Sequence, residues 1–186
     1  MKLDCVHFVF AAVLLSSLAG AQSSATAGEK PGPEDGTIVN KTYANAYLGF
    51  SYPIPDGWEV SRDVGSERDG KAHRFPSGGL ELLIVDRYTG SFRNRILVTA
   101  LDATGLSATT SAFVSQIVRG PISETGGEVV REPFAVTFVG QPFFRADYKQ
   151  TFNGGTQWGT FVCTKFRGYF LGWMFVKSLR GNWKDL

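Results

Sequence analysis

The sequence has 186 residues, 13% of them aromatic, and a net charge of only +2. Its two cysteines, Cys5 and Cys163, lie on opposite sides of a predicted cleavage point, so the mature chain can form no internal disulfide. A domain of about 150 residues remains, which can bury roughly 70% of its unfolded surface, so packing alone can stabilise it.

The N-terminus has the pattern of a secretory signal peptide. Lys2 precedes an apolar run over residues 6–18, which ends in small residues around Ala21. This run is shorter than the about 20 apolar residues that cross a bilayer. We predict a signal peptide over 1–21, a flexible leader rich in glycine and proline over 22–37, and a single domain over 38–186. The mature protein is then periplasmic or secreted and has no transmembrane segment.

The first long elements of the domain are two strands and a helix. Residues 80–88 and 93–103 are runs of leucine, isoleucine and valine separated by a turn, which is typical of paired strands. Residues 107–119 carry apolar side chains at helical spacing. Gly120 and Pro121 follow at once and predict the end of this helix.

Four more strands are predicted after the helix. They cover residues 134–139, 144–149, 157–166 and 169–178, and short turns connect them. The last of these strands is apolar on both faces, so a layer is expected on each side of it. The order of elements indicates an α+β fold, with helical layers on an antiparallel sheet.

One loop has part of a nucleotide-binding signature. Residues 65–72, GSERDGKA, match the Gly-x4-Gly-Lys skeleton of a phosphate-binding loop. Ala72 stands where such a loop needs a serine or threonine for magnesium, and Pro76 interrupts the helix that should follow. A charged surface loop is the better interpretation, and no cofactor is predicted.

Few side chains of the mature chain are suited to catalysis or metal binding. His73 is its one histidine, and Cys163 lies in a predicted strand, where a cysteine is usually a small buried apolar residue. Asp63, Glu67 and Asp69 lack the spacing of a calcium loop. We therefore predict no catalytic and no metal-binding residue, and we class the protein as a non-enzyme.

Aromatic and basic residues alternate near the C-terminus, as they do on platforms that bind single-stranded nucleic acid. The aromatic residues concerned are Phe161, Phe166, Tyr169, Trp173 and Phe175. Residues 141–186 also hold seven basic and two acidic side chains. In an exported sheet protein, core packing and solvated strand faces explain both features, so no nucleic-acid partner is predicted.

The stretch YLGFSYPIPDGWEV, residues 47–60, is interpreted as architecture. Pro53 and Pro55 place the short strand before them at a sheet edge, and Asp56 and Gly57 complete a turn after which Trp58 packs back on the domain. The stretch resembles the entry motif of the PsbP-like superfamily, which includes extrinsic photosystem subunits, Ran-binding proteins and type VI secretion effector chaperones. The motif positions are Tyr43, Gly49, Phe50, Pro55, Gly57 and Trp58.

The resemblance implies an α-β-α sandwich around a central antiparallel sheet, and a protein that acts by binding other proteins. The final helix of the family is cut short here, since residues 182–186 allow one turn. No functional residue of the family has a counterpart in this chain. The main hypothesis is an exported, non-catalytic domain that binds a protein partner or assists assembly in the cell envelope. The alternatives are a binder of a small apolar ligand between sheet and helix, and a hydrolase with an unrecognised site.

Overall fold

A computed structural model describes residues 31–61, 72–75, 78–90, 92–138, 140–152 and 155–179. These ranges contain eleven strands and one helix. In chain order the elements are β1 (Gly36–Val39), β2 (Thr42–Asn45), β3 (Phe50–Pro53), β4 (Glu59–Val60), β5 (His73–Arg74), β6 (Leu80–Thr89), β7 (Phe92–Asp102), α1 (Thr110–Thr125), β8 (Glu128–Phe138), β9 (Gln141–Phe152), β10 (Gly155–Phe166) and β11 (Tyr169–Leu179).

The strands form two antiparallel sheets of unequal size. The small sheet has the order β1-β2-β3. The large sheet has the order β4-β6-β7-β11-β10-β9-β8, with β5 paired to β6. The last strand in sequence, β11, therefore lies in the middle of the large sheet, which explains why it is apolar on both faces.

The small sheet packs on one face of the large sheet through aromatic rings. Tyr43 and Phe50 are buried beneath it, with ring centroids 5.7 Å apart. Phe50 and Phe143 each meet the buried indole of Trp173 edge-on, at 5.9 and 6.0 Å. The alternation of inward and outward residues in β2 and β3 has the period of two that a sheet layer requires.

The helix α1 packs on the opposite face of the large sheet, against β8, β9 and β10. It begins where the hydroxyl of Thr109 accepts a hydrogen bond from the Ala112 N–H at 3.2 Å. Phe113, Val114 and Val118 on its inner side are buried against the sheet.

The predicted helix end at Gly120–Pro121 is wrong, because α1 continues to Thr125. A proline disfavours the helical conformation of the residue before it through a clash with that residue's Cβ, and Gly120 has no Cβ. The helix ends instead at Gly126, which takes a positive φ of 73°, and the Gly127 N–H donates to Ile122 O at 3.0 Å.

The predicted α-β-α sandwich is also wrong. The large sheet is central, but β1–β3 cover one face and α1 the other, so the fold is mostly antiparallel sheet. The N-terminal stretch forms a sheet layer because its short apolar alternation is interrupted by turns at Gly49 and Gly57, both at positive φ. Residues 182–186, where the sequence analysis expects the start of a final helix, lie outside the described residues.

The strands predicted over residues 80–88 and 93–103 are confirmed as β6 and β7. Each of the four strands predicted after the helix overlaps one of β8 to β11, but β8 begins at Glu128, six residues before the predicted start, and residue 139 lies outside the described residues. The signal peptide over 1–21 and residues 22–30 of the leader lie outside the described residues and stay predictions. The strand β1 begins at Gly36, two residues before the predicted domain start.

Two glycines let aromatic rings lie directly on the large sheet. A Cβ on Gly159 would come within 2.0 Å of the Tyr148 ring on the neighbouring strand, and one on Gly172 within 2.6 Å of the Phe161 ring. Both rings belong to the core under α1. The glycines thus set how closely this aromatic layer approaches the backbone.

We expect Gly159→Ala to lower the free energy of unfolding by about 2–3 kcal/mol, because the new methyl group overpacks the Tyr148 ring. Urea denaturation monitored by circular dichroism measures this. Gly79→Ala is the matched control: its methyl group would lie 3.5 Å from the nearest atom, an ordinary contact. A control variant as unstable as Gly159→Ala would contradict the explanation.

Candidate functional site

An apolar groove suited to binding lies beside α1. It has a volume of about 210 Å³ and is partly open to solvent. The groove is lined by Phe75, Gly79, Leu80, Leu97, Thr99, Ala100, Leu101, Phe113, Ile117, Phe161 and Met174. We call it the helix groove.

The groove exists because one helix is too narrow for the sheet. Seven strands at about 4.8 Å spacing span about 29 Å, whereas a helix with its side chains is about 10–12 Å across. Because α1 contacts β8, β9 and β10 and reaches β11 through the stack of Phe113 on Phe170, it leaves the same face of β6 and β7 beside it. Leu97, Thr99 and Leu101 alternate along β7 on this face and are only half-buried.

Aromatic rings separate the helix groove from the core under α1. The ring of Phe113 stacks on Phe170, with centroids 4.3 Å apart and planes inclined by 7°. Phe113 also contacts Phe161, whose ring covers Gly172 on the adjacent strand. These rings are fixed by the helix and by the sheet, so the wall has a defined shape without a ligand.

The lining offers almost no polar chemistry. Its side-chain hydroxyl belongs to Thr99, whose Oγ1 lies 3.5 Å from Gly172 O. None of the lining residues is titratable. Such a surface can hold an apolar group by burial and dispersion, and it supplies no acid, base or nucleophile.

A charged cluster continues the same face of β7 beyond Leu97. Asp86, 3% exposed, accepts hydrogen bonds from Arg93 Nη2 at 2.5 Å and from Arg95 Nε at 2.9 Å. The buried Ser61 hydroxyl lies 3.2 Å from Arg93 Nη2. The cluster thus ties β6 and β7 to the residue after β4, a structural role.

The Cys–His pair considered from sequence does not form. His73 is exposed in β5 at one side of the sheet, whereas Cys163 is fully buried in β10 under α1. Four strand spacings, from β5 across β6, β7 and β11 to β10, place them at least about 19 Å apart. Burial raises the pKa of the Cys163 thiol well above its ordinary value, so the thiol is neutral and unreactive.

The other candidate sites can be placed only in part. Asp63, Glu67, Asp69 and residues 65–71 of the glycine-rich loop lie outside the described residues. Ala72 is described, and its N–H donates to Glu34 O at 2.8 Å. In the part of the chain that the structure describes, no three histidine, cysteine, aspartate or glutamate side chains gather as metal ligands.

The C-terminal aromatic residues do not form one platform. Trp173 is buried under the small sheet, with Phe166, Tyr169 and Phe175 packed around the same core. Phe161 is buried on the opposite face, under α1. The alternation of strand side chains sends these rings to two different cores, so they cannot stack successive bases.

The entry motif acts as a structural joint. Gly49 has a φ of 70°, and a Cβ there would come within 2.4 Å of the Arg167 guanidinium. Arg167 Nη1 donates to Tyr47 O at 3.1 Å, which joins the small sheet to the β10–β11 turn. The Trp58 N–H closes the Pro55–Trp58 turn by donating to Pro55 O at 3.1 Å, and the Trp58 side chain packs on the core.

A pocket between sheet and helix was one of the alternatives considered from the sequence, but no residue was assigned to it. No local pattern reveals these residues, because the groove depends on the strand order: the one helix in the described ranges has 16 residues and cannot cover a sheet of seven strands. Among the described residues no helix is both long and apolar enough to cross a membrane.

Comparison with known proteins gives little further constraint. No protein-family model and no curated protein matches the chain. It is similar to a Pseudomonas aeruginosa protein of unknown function, with a TM-score of 0.42 and 12% identity over 64% of this chain and 82% of that one. It is also similar to LpqN of Mycobacterium tuberculosis, involved in cell envelope biogenesis, with a TM-score of 0.40 and 15% identity over 68% of each chain. Similarities of this size establish neither a family nor a function.

We expect the Cys163 thiol of the chain from Gln22 onward to stay unlabelled by a disulfide reagent at pH 8, because it is buried and neutral. The urea-unfolded chain should be labelled completely in the same time. Leu106→Cys in a Cys163→Ala background supplies an exposed thiol as control. Rapid labelling of native Cys163 would show that the thiol is accessible and reopen the question of catalysis.

Proposed function

We infer that this domain is a non-catalytic binding protein that takes an apolar part of a small ligand into the helix groove. The observation that carries this proposal is the groove itself, whose lining is almost entirely apolar and includes a wall of stacked aromatic rings. Ligand sites of proteins are mostly such concave, apolar and largely pre-formed surfaces.

The volume of the groove limits what it can hold. Drug-sized ligands occupy pockets of roughly 300–1,000 Å³, whereas an apolar cavity of roughly 150 Å³ binds benzene. At about 210 Å³ the groove suits one ring or one short alkyl chain. The rest of a larger ligand would extend through the open side of the groove.

The chemistry near the groove supports binding rather than catalysis. Cys163 lies under the helix with a raised pKa, and Asp86 is engaged by two arginines. His73 lies at the exposed surface of β5, whereas the groove has no titratable lining residue. A hydrolase would need a nucleophile or a carboxylate pair facing bound substrate.

A protein partner that inserts an apolar side chain into the helix groove is the second candidate. The open side of the groove favours it, because a side chain on a partner surface can enter there without closure of the site. The resemblance of the entry motif to that of PsbP-like proteins, noted from the sequence, is compatible with this alternative. The predicted signal peptide would place either function in the cell envelope or outside the cell.

A substitution that fills the helix groove can be used to test binding of a small apolar ligand and binding of a protein partner separately. We expect wild-type protein to enhance and blue-shift the fluorescence of N-phenyl-1-naphthylamine, an apolar probe. Leu97→Trp should weaken this binding at least about tenfold, because the larger ring takes up the space that the probe would occupy. Leu106→Trp makes the same change at an exposed position and should bind as wild type does.

Equal binding by wild type and Leu97→Trp, with both variants folded by circular dichroism, would refute ligand binding in the groove. If the probe does not bind at all, capture from the envelope fraction tests the second candidate. A protein retained by wild type and by Leu106→Trp but lost with Leu97→Trp would replace the small ligand with a protein partner.

A further inference from the structure

A row of directly paired residues crosses the large sheet on the face opposite α1. In order across the sheet the row consists of Arg87, Asn94, Lys177, Trp158, Lys149 and Glu128. Directly opposed residues of antiparallel strands project from the same face, so these side chains form one line about 24 Å long. We call it the basic row.

The alternation of side chains along β11 shows from which face of the large sheet the basic row projects. Lys177 lies four residues after Trp173 and therefore projects from the same side as that indole, which is buried under the small sheet. The small sheet covers this face around Trp173. The basic row lies further towards the β6–β7 and β9–β10 hairpins, because Arg87 is two residues from the end of β6 and Trp158 is three residues from the start of β10.

The row is exposed and positively charged. Trp158 is 41% exposed, the Lys149 side chain is 40% exposed, and Arg87 and Lys177 are exposed. Lys149 Nζ lies 2.6 Å from Glu128 Oε1 and 6.0 Å from the Trp158 ring centroid. Arg87 and Lys177 make no ion pair with any residue in the described ranges.

We propose that the basic row docks the protein on an anionic lipid surface. Three cations and one carboxylate give the row a net charge of +2, spread along a line rather than converging on one point. A planar layer of anionic headgroups complements such a line, whereas a small anion needs convergent donors. Indole rings favour the level of the headgroups, and lysine stems lie along apolar surface while their ammonium groups reach the phosphates.

A nucleic acid fits the same row less well. Its bases need successive stacking positions, and the row provides the single ring of Trp158. The other aromatic residues of β10 and β11 considered for stacking are packed in or against the two cores. The lipid proposal is independent of the helix groove, which lies on the opposite face of the sheet.

The test is flotation of the chain from Gln22 onward with lipid vesicles, so that the apolar run over residues 6–18 makes no contribution. Vesicles contain 30 mol% phosphatidylglycerol in phosphatidylcholine, or phosphatidylcholine alone. Lys177→Glu changes the basic row by two charge units and should weaken binding to the anionic vesicles about 30-fold, since each charge near such a surface contributes roughly fivefold. Binding should also weaken as salt is raised from 0.05 to 0.5 M.

Lys165→Glu is the matched control. It makes the same charge change on the same strand as Trp158, but Lys165 projects from the α1 face, with its Nζ 5.5 Å from the Phe170 ring. This variant should bind within about threefold of wild type. Trp158→Phe should abolish the blue shift of tryptophan emission on anionic vesicles, while thermal unfolding reports that all variants are folded.

Preferential binding to anionic vesicles, lost in Lys177→Glu and kept in Lys165→Glu, would support the proposal. An equal loss of vesicle binding in both variants would show that net charge alone causes the binding, and this would overturn the proposal. Absence of binding to anionic vesicles would also overturn it, as would tighter binding to oligothymidine that Lys177→Glu removes.

Discussion

The large sheet has two faces to bury, and the chain covers them with layers of different width. On one face Phe50 of the small sheet meets Trp173 edge-on, and Tyr43 packs beside Phe50 in the same aromatic core. On the other face a single helix covers β8, β9 and β10, reaches β11 through the Phe113–Phe170 stack, and leaves β6 and β7 beside it. The helix groove is the direct consequence, because Leu97, Thr99 and Leu101 of β7 line the part of this face that the helix does not cover.

Aromatic rings can approach the backbone closely at glycine positions, and this fixes how the layers pack on the large sheet. Gly159 and Gly172 let the rings of Tyr148 and Phe161 lie close to the backbone of neighbouring strands. Phe113 of the helix then meets the Phe161 ring. The same principle operates at the joint between the sheets, where Gly49 leaves room for the Arg167 guanidinium. Glycine therefore shapes both the wall of the groove and the attachment of the small sheet.

The long strands and the start of the helix could be predicted because their patterns are local: apolar runs in β6 and β7, and apolar spacing around Phe113. The end of the helix could not, since its outcome depended on Gly120 tolerating a following proline. The layer arrangement was missed because a short strand such as β3 depends on packing against Trp173, which lies 123 positions after Phe50 in sequence. The groove follows from the width of the sheet relative to the helix, which becomes visible only when the strand order is known.

The central claim is that the helix groove binds apolar groups, and methyl NMR tests it most directly. In a titration of the methyl-labelled chain with 1-hexanol, the account predicts saturable shifts of the Leu97 and Leu101 methyl signals, which line the groove. The methyl signals of Ile54, buried under the small sheet, should stay unchanged. Unchanged Leu97 and Leu101 signals up to the solubility limit, or equal shifts of Ile54, would contradict the account.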